Sequence, residues 1–347
     1  MNKINTALLA FGLSGKVFHA PFITLHEGFH LAGAWERTSK QIQELYPQTR
    51  SYAILDEILD DKAIDLVVVN TPTYTHFEYA SRALIAGKHV IVEKAFTSSV
   101  SEAEALKELA VKYNRKVAVF QNRRWDSDFS TVKQVIDRKL LGEIIEMEIH
   151  FDRYKIQLSP KKHKEEPNPG AGLLKDLGAH IIDQALVLFG MPESLFADIR
   201  ITRPGSLVDD CLDILLFYPK LRVRLKAGYL VREPLAAYIV NGTKGSFLKS
   251  RADVQETNLL KSLSPGTPGW GMEPGNEEGL INYEKDGTSF RKRVPTLAGN
   301  YLEFYTGVYN ALVQNAPMPV TADDGILVMR IIEAAIMSSA EKKVVYL

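Results

Sequence analysis

The feature that most constrains this chain is an alternation, over its first 120 residues, of short apolar runs with longer amphipathic segments. The apolar runs are Asn5 to Phe11, Phe29 to Trp35, Asp65 to Asn70, His89 to Glu93 and Lys116 to Phe120, with Ser51 to Ala53 as one further short strand. Short apolar strands separated by helical segments predict βαβ units wound around a parallel sheet. Between them His76 to Ala86 has helical spacing and stops at Gly87, and Ser101 with Glu104 has the spacing of a capping box opening a helix to Tyr113.

Beyond residue 142 the texture changes. Glu143 to Phe151, Ser194 to Ile201, Cys211 to Tyr218, Leu221 to Tyr229 and Ala236 to Val240 read as strands joined mostly without intervening helices, which predicts an antiparallel sheet. Helices are expected at Asp176 to Phe189, Leu302 to Asn315 and Asp324 to Ala340, and surface loops at Ser159 to Gly172 and Ser264 to Gly279. A chain of 347 residues exceeds the roughly 250 to 300 at which one core stops growing, so two domains are expected.

The first apolar run leads into Ala10-Phe11-Gly12-Leu13-Ser14-Gly15, a Gly-x-Gly-x-x-Gly fingerprint with Ala10 in place of its first glycine. Small residues here let backbone N–H groups approach a pyrophosphate at a helix N-terminus, where the helix dipole favours negative charge. Gly12, Ser14 and Gly15 are therefore candidate dinucleotide contacts; the alternative is a turn that merely needs small residues. Glu36 follows Gly15 by 21 residues, at the end of the next strand. It could accept hydrogen bonds from an adenosine ribose, whereas Arg37, Thr38 and Lys40 could hold a 2′-phosphate or stack on adenine; the alternative is a solvated charge cluster after a strand. The two readings point to NAD and NADP respectively, with NADP slightly favoured.

In open parallel sheets ligands bind beyond the carboxyl ends of the strands. Three strands here end in polar or charged residues: Asn70-Thr71-Pro72, Glu93-Lys94, and Gln121-Asn122-Arg123-Arg124-Trp125. Asn70, Thr71, Glu93, Lys94, Asn122 and Trp125, with His76 opening the following helix, complete the candidate cofactor site. An ammonium directly after an apolar strand is placed to polarise a substrate oxygen, so Lys94 is also a catalytic candidate; its alternative is an ordinary exposed turn residue. Further on, the spacing of Asp176, His180 and Asp183 lines them up on one helical face. That supplies carboxylates and a base, unless Asp176 is only an N-cap and His180 a core histidine.

Forty-two basic residues balance forty-two acidic ones, so no global field draws the protein to nucleic acid or an anionic membrane. Cys211, the single cysteine, lies in an apolar stretch and reads as a small buried hydrophobe. The eight histidines show no metal-ligand spacing, so no metal site is expected. No apolar run approaches the roughly 20 residues needed to span a bilayer. The apolar run Ala7 to Leu13 after Lys3 reads as a first strand rather than a signal peptide, and a cytoplasmic location is expected.

Taken jointly, Gly15-Lys16-Val17-Phe18-His19-Ala20-Pro21, Ala86-Gly87-Lys88-His89-Val90, Asn122-Arg123-Arg124-Trp125-Asp126-Ser127-Asp128-Phe129 and Asp176-Leu177-Gly178-Ala179-His180 resemble the Gfo/Idh/MocA oxidoreductases over essentially the whole chain. The likeness is greatest to the subgroup of NADP-dependent scyllo-inositol dehydrogenases. The resemblance implies an α/β fold: an N-terminal Rossmann dinucleotide-binding domain, here residues 1–121, and a C-terminal α/β domain, here 122–347, with an open, predominantly antiparallel sheet. That second domain would bind substrate and form a homodimer or larger assembly through a sheet face needing cover. The lysine of the family's Glu-Lys-Pro motif falls on Lys94, and its Asp-x-x-x-His pair on Asp176 and His180. Ala95 departs from the pattern by standing where the family has a proline, which fixes φ and permits a cis bond cheaply.

The leading expectation is an NAD(P)-dependent dehydrogenase that moves a hydride between a nicotinamide and a secondary hydroxyl of a polyol, cyclitol or sugar. The alternatives are a reductase of another carbonyl or imine, and a non-catalytic regulator that senses the dinucleotide.

Overall fold

The apolar runs of the first part assemble into one parallel sheet. The computed structural model describes residues 3–37 and 40–347. Its first six strands are β1 (Ile4–Leu8), β2 (Phe29–Trp35), β3 (Arg50–Tyr52), β4 (Leu66–Val69), β5 (His89–Glu93) and β6 (Val117–Phe120). They lie in the order β3-β2-β1-β4-β5-β6, every pair parallel. This is the doubly wound Rossmann order, whose reversal beside β1 opens a crevice at the strand ends. Leu66 to Val69 are fully buried, as strands covered by helices on both faces must be, and this explains their unbroken apolar sequence.

The helix Val100–Lys112 begins one capping box earlier than expected. Ser99 accepts a hydrogen bond from the Glu102 backbone N–H, and Ser98 donates its own backbone N–H to the Glu102 carboxylate. The sequence offers the same spacing at Ser99 and Ser101, and the earlier box satisfies the first turn.

The later strands are β7 (Ile144–Asp152), β8 (Ser194–Arg200), β9 (Cys211–Phe217), β10 (Arg222–Gly228), β11 (Tyr238–Gly242), β12 (Gly245–Lys249), β13 (Gly279–Lys285), β14 (Thr288–Val294) and β15 (Val345–Tyr346). They form one sheet, β14-β13-β12-β11-β7-β10-β9-β8-β15, antiparallel except for the β7–β10 pair. Side chains alternate across it. Met147, Ile149, Leu212, Ile214, Val223 and Leu225 are buried on one face, against which the helix Ala179–Phe189 packs. The other face carries Glu146, Glu148, Asp213, Arg224 and Lys226 beside Leu215 and Phe217, with Arg224 paired to Asp213 at 2.6 Å. It is mixed rather than the apolar surface expected to need cover.

Contacts divide the chain into two compact units. The first comprises Met1–Asn122 with Gln255–Trp270 and Tyr301–Ile326; the second comprises Arg123–Val254, Gly271–Asn300 and Leu327–Leu347. The late helix Leu302–Val313 belongs to the first unit because its aromatic face is used there. Tyr305 stacks on Phe22 with ring centres 5.8 Å apart, and Phe304 meets Phe120 edge-on at 4.9 Å.

Candidate functional site

In the first unit the fingerprint turn is braced by an amide. The Asn70 side chain accepts from the Ala10 N–H at 2.9 Å and donates to the Ala10 carbonyl at 2.8 Å, tying the end of β4 to the turn after β1. Asn70, expected as a cofactor contact, thus shapes the turn. A Cβ at Gly15 would lie 2.4 Å from the Ala10 carbonyl oxygen, whereas no atom comes within 4 Å of the place a Cβ on Gly12 would take. The turn is closed beneath Gly15 and open above Gly12, and these residues fit a dinucleotide pyrophosphate. A π-helical turn, Gly15–His19, follows and runs into the helix Ala20–Leu25.

The widened turn brings His19 to the end of β5. Its fully buried imidazole lies 3.1 Å from Glu93 Oε1 through Nε2 and 2.7 Å from the Tyr305 hydroxyl through Nδ1. Ser14 donates its hydroxyl to the same Glu93 oxygen, and the Lys94 backbone N–H donates to Glu93 Oε2 at 3.2 Å. Burial pushes the Glu93 carboxyl up, but the His19 and Ser14 hydrogen bonds and the neighbouring Lys94 ammonium outweigh it and hold the group below the usual carboxylate range. Lys94 follows at once, and its peptide bond to Ala95 is cis. His19 was visible only as part of a motif, and Tyr305 carried no signal, since an aromatic on a late helix reads as core.

His76 is fully buried, with Nε2 2.9 Å from the Thr71 carbonyl oxygen and Nδ1 3.0 Å from that of Ala95. It joins the loops after β4 and β5, and burial drives its imidazole below the ordinary value. The Thr71 and Thr75 hydroxyls are hydrogen-bonded to each other at 2.6 Å.

Glu36 departs from the expectation that it faces the ribose. Its carboxylate accepts the backbone N–H groups of Gln41, at 2.9 Å, and Ile42, at 3.3 Å, and the Ser51 hydroxyl at 2.9 Å, so it caps the short helix Gln41–Leu45 and is 9% exposed. Arg37 is exposed, its guanidinium 5.9 Å from the Trp35 ring centre. Lys40 is exposed too, and Thr38 lies outside the described residues.

Asn122 is buried and begins a short helical turn, Asn122–Trp125. In the second unit Arg124 grips Asp183 through two hydrogen bonds of 2.8 and 2.7 Å, so Asp183 anchors its helix. His180 and Asp183 lie three residues apart in the regular helix that starts at Ala179, whereas Asp176 lies in a second π-helical turn, Leu174–Gly178, which precedes it. Asp176 is half-buried and within 3.2 Å of Lys164, while His180 is 4% exposed. Asp209 fixes the start of this turn, accepting the Leu174 N–H at 2.7 Å. Burial pushes its carboxyl up.

Among the described residues there is no cluster of side chains with metal-ligand chemistry, and no helix is long and apolar enough to cross a membrane.

Residues 4–121 match the oxidoreductase family model for an NAD-binding Rossmann fold, and residues 133–347 match the C-terminal alpha/beta domain of the same oxidoreductase family. The chain is 33% identical to scyllo-inositol 2-dehydrogenase (NADP(+)) IolW of Bacillus subtilis, covering all of this chain and 97% of that protein. It is 39% identical to an uncharacterised oxidoreductase of Schizosaccharomyces pombe, over 98% and 97% of the two chains. The solved structure of an oxidoreductase from Bacteroides fragilis superimposes with a TM-score of 0.91 at 43% identity, covering both chains fully. With a Rossmann unit, a mostly antiparallel second sheet and full-length relatives, the chain belongs to the Gfo/Idh/MocA family of oxidoreductases.

Proposed function

We propose that the protein is an NADP-preferring dehydrogenase that oxidises a secondary hydroxyl of a cyclitol or sugar to a ketone. What carries this reading is Lys94, set at the end of a Rossmann strand behind an ionised, hydrogen-bonded Glu93, in a chain similar throughout to an NADP-dependent inositol dehydrogenase. Lys94 stabilises negative charge developing on the substrate oxygen, His180 takes the hydroxyl proton, and Asp176 orients the imidazole. A bound nicotinamide supplies the acceptor for hydride from the carbon.

Preference for the phosphorylated cofactor rests on Glu36 and Arg37. Glu36 turns its carboxylate to backbone N–H groups at a helix start and to the Ser51 hydroxyl, and we assign it to that cap rather than to the ribose diol. Arg37 remains exposed beside it to pair with that phosphate. Gly12, Ser14 and Gly15 hold the pyrophosphate.

The test is a panel of inositols and aldoses with NADP and with NAD, following absorbance of the reduced cofactor. Turnover of a cyclitol or aldose with NADP favoured is the expected result. A panel on which neither cofactor is reduced would remove the substrate class, and a clear NAD preference would remove the role given to Arg37.

A further inference from the structure

The parallel sheet has a second set of strand ends, the amino-terminal ones, at the edge opposite the fingerprint turn. There a hollow of about 570 Å³ opens between the starts of β1, β4, β5 and β6 and the end of the helix Leu302–Val313. Its apolar lining includes Ile4, Ile64 and Leu312. Four cations stand around it, Lys3, Lys62, Lys88 and Arg115, against one carboxylate, Asp65.

Lys88 is the informative one. Its side chain is 3% exposed, and its ammonium donates to the carbonyl oxygens of Asp61 and Ile64, at 2.5 and 2.9 Å, rather than to a carboxylate. The Asp61 and Asp65 carboxylates act on it only through space, and a buried ammonium hydrogen-bonded to carbonyls alone is costly unless a counter-ion completes it. None of the four cations is paired with a carboxylate among the described residues. Arg115 is held by the carbonyl oxygens of Gly87 and Asn114, and Asp65 accepts the Asn5 backbone N–H.

The titrating groups report the same field. Burial, then the charges of Lys62 and Arg115, lowers the Lys88 ammonium, with Asp61 and Asp65 opposing. His89, whose Nδ1 accepts the Lys116 backbone N–H at 3.0 Å, is driven down to about 4 by burial and then by Arg115 and Lys116, with Asp65 opposing. Gly87, Lys88 and His89 belong to a motif that the catalytic reading leaves without a task.

We propose that this hollow is an effector site for a compact polyanion bearing at least two phosphate or carboxylate groups, held by Lys3, Lys62, Lys88 and Arg115. The apolar floor keeps the ligand's charges from full solvation, and the cations replace the water removed. The site lies at the other end of the strands that carry the fingerprint and Lys94, and it does not depend on the substrate assigned above.

The test is calorimetric titration of the full chain with inorganic pyrophosphate and, separately, citrate, at low ionic strength. NADPH is kept in excess so that the fingerprint turn cannot supply the site. One saturable site is expected, weakened about tenfold or more in Lys3→Ala/Lys62→Ala, whose exposed side chains can be removed without disturbing the fold. Binding of pyrophosphate alone would assign the site to phosphates, and binding of citrate alone to carboxylates. As a second readout, the His89 imidazole followed by NMR should titrate above its value of about 4 when the anion is present, and less so in the double variant. Absence of saturable binding by either anion, or binding that the double substitution leaves unchanged, would overturn the proposal.

Discussion

Both units enter a helix through a π-helical turn, and the two turns use the extra residue differently. In Gly15–His19 it carries His19 inward, where a fully buried imidazole joins Glu93 to Tyr305. In Leu174–Gly178 it leaves Asp176 half-exposed on Lys164, while His180 lies one turn further along in the regular helix. The first turn places its inward side chain in buried hydrogen bonds that are expensive to leave unmade; the second, fixed at its start by Asp209, places Asp176 in a surface ion pair of little net energy. Changes around the first should therefore register in stability and cofactor binding, and changes around the second in chemistry.

The largest effects should come from Lys94 and His180. Replacing either with alanine should lower kcat by about 10²-fold or more, with the dissociation constant for NADPH nearly unchanged. Turnover close to wild type in both variants would remove the assigned mechanism.

Next come the two glycines of the first turn, which should separate cleanly. Gly15→Ala forces a methyl against the Ala10 carbonyl and should destabilise the protein by about 1–3 kcal/mol in denaturant melts. A Cβ on Gly12 has no protein atom within 4 Å, so in Gly12→Ala stability should hold while NADPH affinity falls by about tenfold as the pyrophosphate approach is blocked. A Gly12 variant that binds NADPH normally would contradict the placement of the cofactor.

His19→Phe keeps a ring against Phe120 but leaves Glu93 and Tyr305 without their shared partner, at a cost of about 1–3 kcal/mol. Because the folded-state Glu93 carboxyl is held below its ordinary value, its contribution is complete above the unfolded carboxylate range and is lost as pH falls through the folded value. Without His19 that folded value rises, so the acid-unfolding midpoint should move to higher pH. An unmoved midpoint would show that Glu93 does not depend on His19.

The smallest effect should follow Lys164→Ala, which removes an exposed partner from Asp176 and should change stability by no more than about 0.5 kcal/mol. A larger loss would mean that the second turn is held as firmly as the first.

The sequence made the parallel sheet legible because strands covered on both faces are written as unbroken apolar runs, as in Leu66 to Val69. It hid β14, whose residues are almost all exposed and whose Arg291, Lys292 and Arg293 give an edge strand the charge that discourages further pairing, at the expense of any apolar period. The fingerprint and Lys94 could be read from position alone. The bracing by Asn70, the cap formed by Glu36 and the His19 link could not, since each depends on which of several possible partners the fold brings within reach. Both π turns escaped notice because helical reading assumes a constant period, and the second, Leu174–Gly178, contains Asp176 while His180 and Asp183 lie in the regular helix after it.

The central claim is that this protein takes hydride from a carbon bearing a secondary hydroxyl. It is tested most directly by incubating the full chain with NADP and scyllo-inositol deuterated at every ring carbon, then weighing the reduced cofactor by mass spectrometry. The account predicts reduced NADP that carries deuterium, formed more slowly than with the undeuterated compound and lost in Lys94→Ala. Reduced cofactor bearing only protium, or equal rates of its formation in wild type and Lys94→Ala, would contradict it.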